Sequence, residues 1–189
     1  MNNIQMGGKE MILKGEKIVL RPVELSDIDQ LLNINDMEVR ENLLSVFPLN
    51  HIREEEWVRK LYSTQGDVVF AIVPIEEEKL VGTTGLHGID WVNRVAEFGI
   101  AVTDKRYWNK GLGSEAVLLT LKYGFEYLNL HRIALRVYEY NTRGIHVYEK
   151  CGFVHEGRLR QARYIKGKYY DVLIMSVLRD EYFSKISNR

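Results

Sequence analysis

The chain has 189 residues, 46% of them apolar and 28% charged, and its 26 basic and 26 acidic side chains cancel to a net charge of zero. That length suits one domain with a single core, and the balanced charge argues against a non-specific nucleic-acid binder, which carries a basic excess or stripe. One cysteine, Cys151, excludes an intrachain disulfide, and no apolar run reaches the roughly 18 residues that a membrane helix needs.

Met1 to Glu10 is polar, contains glycine and lacks the apolar centre of a signal peptide. The expectation is a cytoplasmic protein with a flexible tail over 1–13, one domain over 14–183 and a short tail over 184–189. Lys17 to Val23 alternates and predicts a first strand. Ser26 is a good N-cap for a first helix, whose buried stripe is Leu25, Ile28, Leu31, Leu32 and Ile34. Met37 to Asn50 breaks the pattern and reads as a loop with room for a helical turn. Ile52 to Ser63 reads as a second helix, with Trp57, Val58 and Leu61 on its inner side. Its first turn carries Glu54 to Glu56, which the helix dipole favours.

Asp67 to Pro74 is a strand ended by proline. The acidic run Glu76 to Glu78 reads as a solvated hairpin tip. Leu80 to Ile89 is the next strand, with Gly82 and Gly85 marking bends or close approaches. Arg94 to Val102 closes an antiparallel meander. A long, largely buried helix is expected over 112–128, in which Gly124 marks close packing on a strand. Ile133, Leu135 and Val137 alternate on a further strand. A helix then starts at Asn141 and stops at Gly152-Phe153. Val154 to Ile165 and Lys168 to Leu178 form a closing hairpin through Lys166-Gly167, and the first of them is a candidate exposed edge.

The chemistry centres on Tyr107-Trp108-Asn109-Lys110-Gly111-Leu112-Gly113-Ser114, a glycine-containing turn that opens directly into the long helix. The first N–H groups of a helix have no partners within it, and with the helix dipole they suit a phosphate. An ordinary glycine-bounded helix start remains an alternative. A Walker loop is excluded by the order, because Lys110 precedes Gly111 and no Gly-Lys-Ser/Thr follows. A dinucleotide fingerprint is equally weak, since Gly111-Leu112-Gly113 is followed by Ala116. Downstream, Asn141 and Tyr148 stand seven residues apart, about two helical turns, and so share one face.

The strand before this turn, the helix and strand after it, and the pattern Asn141-x(6)-Tyr148-x(3)-Gly152-Phe153 together resemble the GNAT superfamily of acetyl-CoA-dependent N-acetyltransferases. The resemblance spans about residues 14 to 180. It is strongest to the branch holding the ribosomal-protein N-terminal acetyltransferases and the spermidine acetyltransferases. It implies an α+β fold with a mixed, mostly antiparallel sheet of six to seven strands, about four flanking helices and one parallel strand pair at the cofactor. Trp108 stands where the family pattern has Gln or Arg, so no side-chain cation is assigned to that position.

By the same resemblance, a bulge at Gly99 splays the strand of Glu97 from that of Ile133. The pantetheine arm then pairs with the backbone of Ile100, Ala101, Val102 and Thr103. The segment from Glu97 to Gly111 is one residue longer than usual in the branch, which leaves the bulge register open by one position. Trp108, Asn109, Lys110, Gly111, Leu112, Gly113 and Ser114 surround the pyrophosphate, and Asn141 both caps its helix and contacts the cofactor. Tyr148 is the general acid at the thioester sulfur, with a core aromatic as its plain alternative. Glu97 is the base, with a sheet carboxylate paired to Arg94 or a lysine as its alternative. His87 and Asp90 are weaker bases. The backbone N–H of about Ala101 holds the oxyanion. Cys151 is apolar filler, and no metal is expected because the histidines show no zinc spacing.

For the acceptor, an α-amine with a reference pKa near 7.7–8.0 loses its proton more easily than an alkyl amine near 10.4. The loop 37–52 also carries Leu43, Leu44, Val46, Phe47 and Pro48, a lining suited to a peptide end. A protein or peptide N-terminus is therefore the first expectation. Polyamines such as spermidine are the alternative, helped by Glu38, Glu41 and the match around Lys166 to Asp171. A non-catalytic acyl-CoA-binding module is the reading from another class. A homodimer is a further expectation from the branch.

Overall fold

The computed structural model describes residues 13–43, 47–63 and 65–187. Within them one eight-stranded mixed sheet runs in the order β1-β2-β3-β4-β5-β6-β8-β7. The strands are β1 Leu13–Lys14, β2 Ile18–Pro22, β3 Val68–Pro74, β4 Gly82–Asp90, β5 Val95–Val102, β6 Arg132–Tyr138, β7 Val154–Ile165 and β8 Lys168–Leu178. The helices are α1 Ile28–Leu31, α2 Met37–Arg40, α3 His51–Lys60, α4 Leu112–Lys122, α5 Thr142–Cys151 and α6 Arg179–Ser187. The count exceeds the expectation because the short β1 adds a strand, the 37–50 segment contains the α2 turn, and α6 runs to Ser187, past the boundary expected at 183. All neighbouring pairs are antiparallel except β5 and β6.

The two faces of the sheet are covered differently, and this decides where a ligand can enter. β2 and β3 are buried on both sides. Val19, Val69, Ala71 and Val73 pack under Ile28, Leu31, Val58 and Leu61 of the α1–α3 layer. Ile18, Leu20, Phe70 and Ile72 pack on the other face against Leu112 and Ala116 of α4. β5, β6 and β8 bury one face against α4 and leave part of the other open. On the buried face Phe98, Ile133, Leu135, Leu173 and Met175 meet Val117, Leu121 and Phe125. The opposite face of these strands carries Glu97, Arg132, Arg136 and Ile174, which line an open cavity of about 380 Å³ with His87.

Several local expectations are corrected. The first helix is broken into 3-10, α and 3-10 segments. Its start is held by the reciprocal pair Glu24 and Asp27, not by Ser26, because Asp27 accepts the Glu24 N–H at 2.8 Å. Asp27 also makes a buried bidentate pair with Arg21, both bonds 2.7 Å, which ties the helix start to β2. Leu25 is consequently 41% exposed rather than in the stripe, and Trp57 of α3 is 36% exposed rather than inward. α3 is capped by Asn50, whose side chain accepts the Arg53 N–H. The long helix changes to a π-helix over Tyr123–Tyr127, where the Leu128 N–H reaches back to the Tyr123 carbonyl. Gly124 lies there against Ile133 and Leu86, and an added Cβ would come within 2.6 Å of the Ile133 Cδ1, so the expected close packing is present.

No register shift marks Gly99 in the β4–β5 ladder. β4 and β5 stay in constant register from Gly82–Val102 to His87–Glu97, and the irregularity falls between His87 and Asp90 of β4, where Gly88 has φ +56. The closing hairpin turns through Lys166 and Gly167 at φ +49 and +79, the two left-handed residues of a type I′ turn. β7 is the free edge of the sheet, as expected.

Candidate active site

β5 and β6 pair only from Val95–Arg132 to Glu97–Ala134, although β5 runs on to Val102 and β6 to Tyr138. Beyond Glu97 the two strands part, and among the described residues no strand pairs with β5 on that side. A cavity of about 310 Å³ begins there, with Ile100, Ala101 and Val102 along one wall. The turn before α4 forms its end, with Tyr107, Trp108, Asn109, Gly111, Gly113 and Ser114. α5 forms the opposite wall through Asn141, Arg143, Gly144, Val147 and Tyr148, and Val39, Asn42 and Leu43 roof it.

The turn is built from its own sequence. The Asp104 side chain caps the 3-10 helix Lys105–Tyr107 by accepting the Arg106 N–H. Trp108 is then fixed by its indole N–H, which donates to the Val102 carbonyl at 2.8 Å. Asn109 at φ +60 and Gly111 at φ +86 reverse the chain, and α4 starts at Leu112 with no side-chain cap. The first N–H groups of α4 therefore have no partner within the helix.

Two contacts from the first hairpin brace this turn. The Lys17 ammonium donates to the Lys110 carbonyl at 3.1 Å. The Glu115 carboxylate accepts backbone N–H groups of Glu16 and Lys17. Lys110 itself does not line the cavity; its ammonium stands 5.3 Å from the centre of the Tyr107 ring. Leu112 is buried in the core, and Thr103 turns outward from the cavity, its N–H donating to the Val81 carbonyl at 2.9 Å.

Asn141 is the N-cap of α5, its side chain accepting the Gly144 N–H at 2.9 Å. Two turns on, Tyr148 is held edge-to-face between Phe98 of β5 and Phe153, at ring distances of 6.1 and 5.7 Å. Burial pushes its phenol pKa up to about 12, so the hydroxyl is firmly protonated. Cys151 is buried, its thiol 3.6 Å from the Ser114 carbonyl.

Glu97 lies on the other face of the sheet from Tyr148, where the strands begin to part. Its ion-pair partner is Arg136 at 3.8 Å, not Arg94 or a lysine. His87 stands opposite it across β4–β5, and its ring is 3.8 Å from Asp67. Asp90 is a turn carboxylate: hydrogen bonds from Asn93, and one from the Val92 N–H, hold its pKa below the usual range. Among the described residues no cluster of three or more His, Cys, Asp or Glu could hold a metal ion.

Two residues were not anticipated from the sequence. Arg143 stacks on Trp108, its guanidinium carbon 3.7 Å from the ring centre. Lys17 reaches the turn from the β1–β2 connection, 93 positions away. Only Arg143 left a trace, as a basic residue inside the Asn141–Tyr148 pattern.

The sequence pattern of the acetyltransferase (GNAT) domain family matches residues 17–154. The spermidine N(1)-acetyltransferase of Vibrio cholerae is 32% identical over 173 residues, 89% of this chain and 97% of that protein. The N-acetyltransferase p20 of Bacillus licheniformis is 34% identical over 88% of this chain and 96% of its own. The crystal structure of the Vibrio cholerae spermidine N-acetyltransferase with CoA and spermine superposes with a TM-score of 0.81 at 29% identity, over 89% of this chain and 99% of that one. A strand pair that parts beside an uncapped helix start, and a protonated tyrosine facing the gap, are thus found in a chain that belongs to the GNAT family and is an acetyl-CoA-dependent acyltransferase.

Proposed function

We propose that the enzyme acetylates a small alkyl amine of the polyamine type by direct attack on acetyl-CoA. The observation that carries the acceptor class is the similarity, over nearly the full length, to a spermidine acetyltransferase whose crystal structure holds CoA and spermine. In this reading the side of β5 at Ile100, Ala101 and Val102 that β6 no longer covers receives the pantetheine arm as an added strand. The N–H groups of Gly111 to Ser114 receive the pyrophosphate, with Asn109 and Asn141 at its sides.

The uncharged amine attacks the thioester carbonyl carbon. The new C–N bond forms, the C–S bond breaks, and the amine proton leaves toward Glu97, directly or through water. Tyr148 faces the sulfur. A phenol near pKa 12 is a poorer acid than a thiol near 8.5, so its main contribution is a hydrogen bond to the departing thiolate.

The roof segment supplies carboxylates for a polycation. Glu38 pairs with Lys105, and Glu41 pairs with Lys166. Exposed pairs of this kind are worth only about 0–1 kcal/mol, so a bound polyamine exchanges readily for the lysines. The apolar roof residues Val39 and Leu43 favour a second reading, a peptide α-amine. Leu44 and Val46, on which that expectation also rested, lie outside the described residues.

A thiol-release assay with spermidine, spermine, peptides with free N-termini and amino-acid amides decides between them. The expected result is a kcat/KM for spermidine or spermine well above that for any peptide, with Glu41→Gln raising the polyamine KM several-fold. Turnover of peptides without turnover of polyamines overturns the proposal in favour of the second reading.

A further inference from the structure

We infer that Arg143 is the side-chain cation for a phosphate of coenzyme A, held in place for it by Trp108. The inference rests on the reading of the chain as an acetyl-CoA-dependent enzyme. It assigns a role to a residue outside the turn that binds phosphate in that reading.

The turn itself lacks a side-chain cation where the family pattern places Gln or Arg, because position 108 is tryptophan. The structure brings one in from α5. The Arg143 guanidinium lies on the face of the Trp108 ring at 3.7 Å, and both residues line the same cavity as Gly111, Gly113 and Ser114. The ring cannot swing away, since its N–H is bonded to the Val102 carbonyl. A guanidinium stacked on an aromatic face keeps its N–H groups in its own plane and free for a bidentate oxyanion.

Three further facts favour a ligand over a purely structural role. Arg143 has no acidic partner among the described residues, a state it shares with Arg53, Arg94, Arg160 and Arg179, but it is the one described arginine that lines this cavity. It also sits in the first turn of α5, which contains no acidic residue. A cation there opposes the positive end of the helix dipole, a cost that an incoming anion would reverse. Finally, the α4 and α5 starts face one cavity, so the anion would meet two helix dipoles and one positioned guanidinium together.

The test is calorimetry of the whole chain with CoA and with 3′-dephospho-CoA, on the wild type and on Arg143→Gln and Trp108→Leu. Arg143→Gln is expected to raise the CoA Kd about tenfold, the scale of one charge-assisted hydrogen bond. It should flatten the salt dependence of binding and raise the acetyl-CoA KM in the same proportion as Kd. Trp108→Leu should move Kd in the same direction, and Arg143→Lys should recover only part of the loss. If the loss persists with 3′-dephospho-CoA, the group bound is the diphosphate; if it vanishes, the group is the 3′-phosphate. An unchanged Kd for Arg143→Gln with both ligands, in a protein of unaltered Tm, overturns the inference while the enzyme reading stands. Wild-type protein that neither binds CoA nor uses acetyl-CoA overturns the enzyme reading instead.

Discussion

Tyr148 gains its character from where its helix face lands. A tyrosine on a solvated helix titrates near 10. Here Phe98 and Phe153 wall the ring, and lost hydration holds the proton up to about 12. Tyr148→Phe keeps both ring contacts and removes only the hydroxyl. It should lower kcat at least tenfold and leave CoA binding little changed, as calorimetry and steady-state kinetics would show together. Near-normal turnover would assign the leaving-group role elsewhere. The raised pKa also fixes a sign. Between about pH 10 and 12 an unfolded chain ionises this phenol and the folded chain does not, so stability falls as pH rises through that window and is unaffected below it. No limb of the pH–rate profile between pH 6 and 9 should therefore change in Tyr148→Phe. The pairing of Asn141 with Tyr148 was legible in advance, because seven residues make two helical turns whatever surrounds the helix. The stacking of Arg143 on Trp108 was not, because it needs two segments that meet only when α5 packs beside the turn.

The elements are fixed to one another by a few polar clasps as well as by the core. Glu156 is the extra residue of a bulge in β7, between the pairs His155–Met175 and Gly157–Ile174. The bulge re-aims its carboxylate across β8. There it accepts the Ser176 hydroxyl at 2.7 Å and meets the Arg132 guanidinium of β6. Three strands are thereby joined at the free edge of the sheet. The Arg132 guanidinium, with Ser176, holds the Glu156 pKa down at about 2. A depressed carboxylate pKa gives stability that is present above the ordinary value near 4.3 and lost as pH falls toward 2. Glu156→Gln should be less stable than wild type at pH 7 in denaturant titrations, and the gap should close by pH 2. A gap of constant size across that range would show that the ion pair contributes nothing to holding β7. None of this was visible beforehand: the strand's alternation marks an edge, but a bulge changes which way one side chain points and leaves no compositional trace. The β4 irregularity near Gly88 has the same origin, since it shows only in the pairing with β5.

At the scale of the molecule, the proposed coenzyme cavity and the core share one element. α4 offers its first turn to the cavity and its remaining length to the sheet, so ligand binding and global stability are linked. Acetyl-CoA at one hundred times its Kd should add about 2.7 kcal/mol and raise Tm by roughly 5–10 °C for a chain of this size. A thermal scan with and without the coenzyme measures it, and an unmoved Tm at saturation would sever the link. The unequal burial of the sheet has a functional counterpart. β2 and β3 are covered on both faces, whereas β5, β6 and β8 expose the face carrying Glu97. In the proposed reading that bare face is the side from which an acceptor approaches, opposite the helices proposed to hold the coenzyme.

The sequence by itself determined the succession of elements, the glycine turn into a buried helix, and the Asn141–Tyr148 face, because periodicity and turn chemistry act within a few residues of each other. It also carried enough of the family pattern to identify the acyl donor. Only the tertiary structure decided where β5 and β6 separate, which arginine reaches the turn, which carboxylate faces which cavity, and that Lys17 and Glu115 lock the first hairpin beneath α4. Those outcomes depend on contacts between segments tens of residues apart, whose geometry is set by how whole layers pack and is not encoded in the spacing along any one of them.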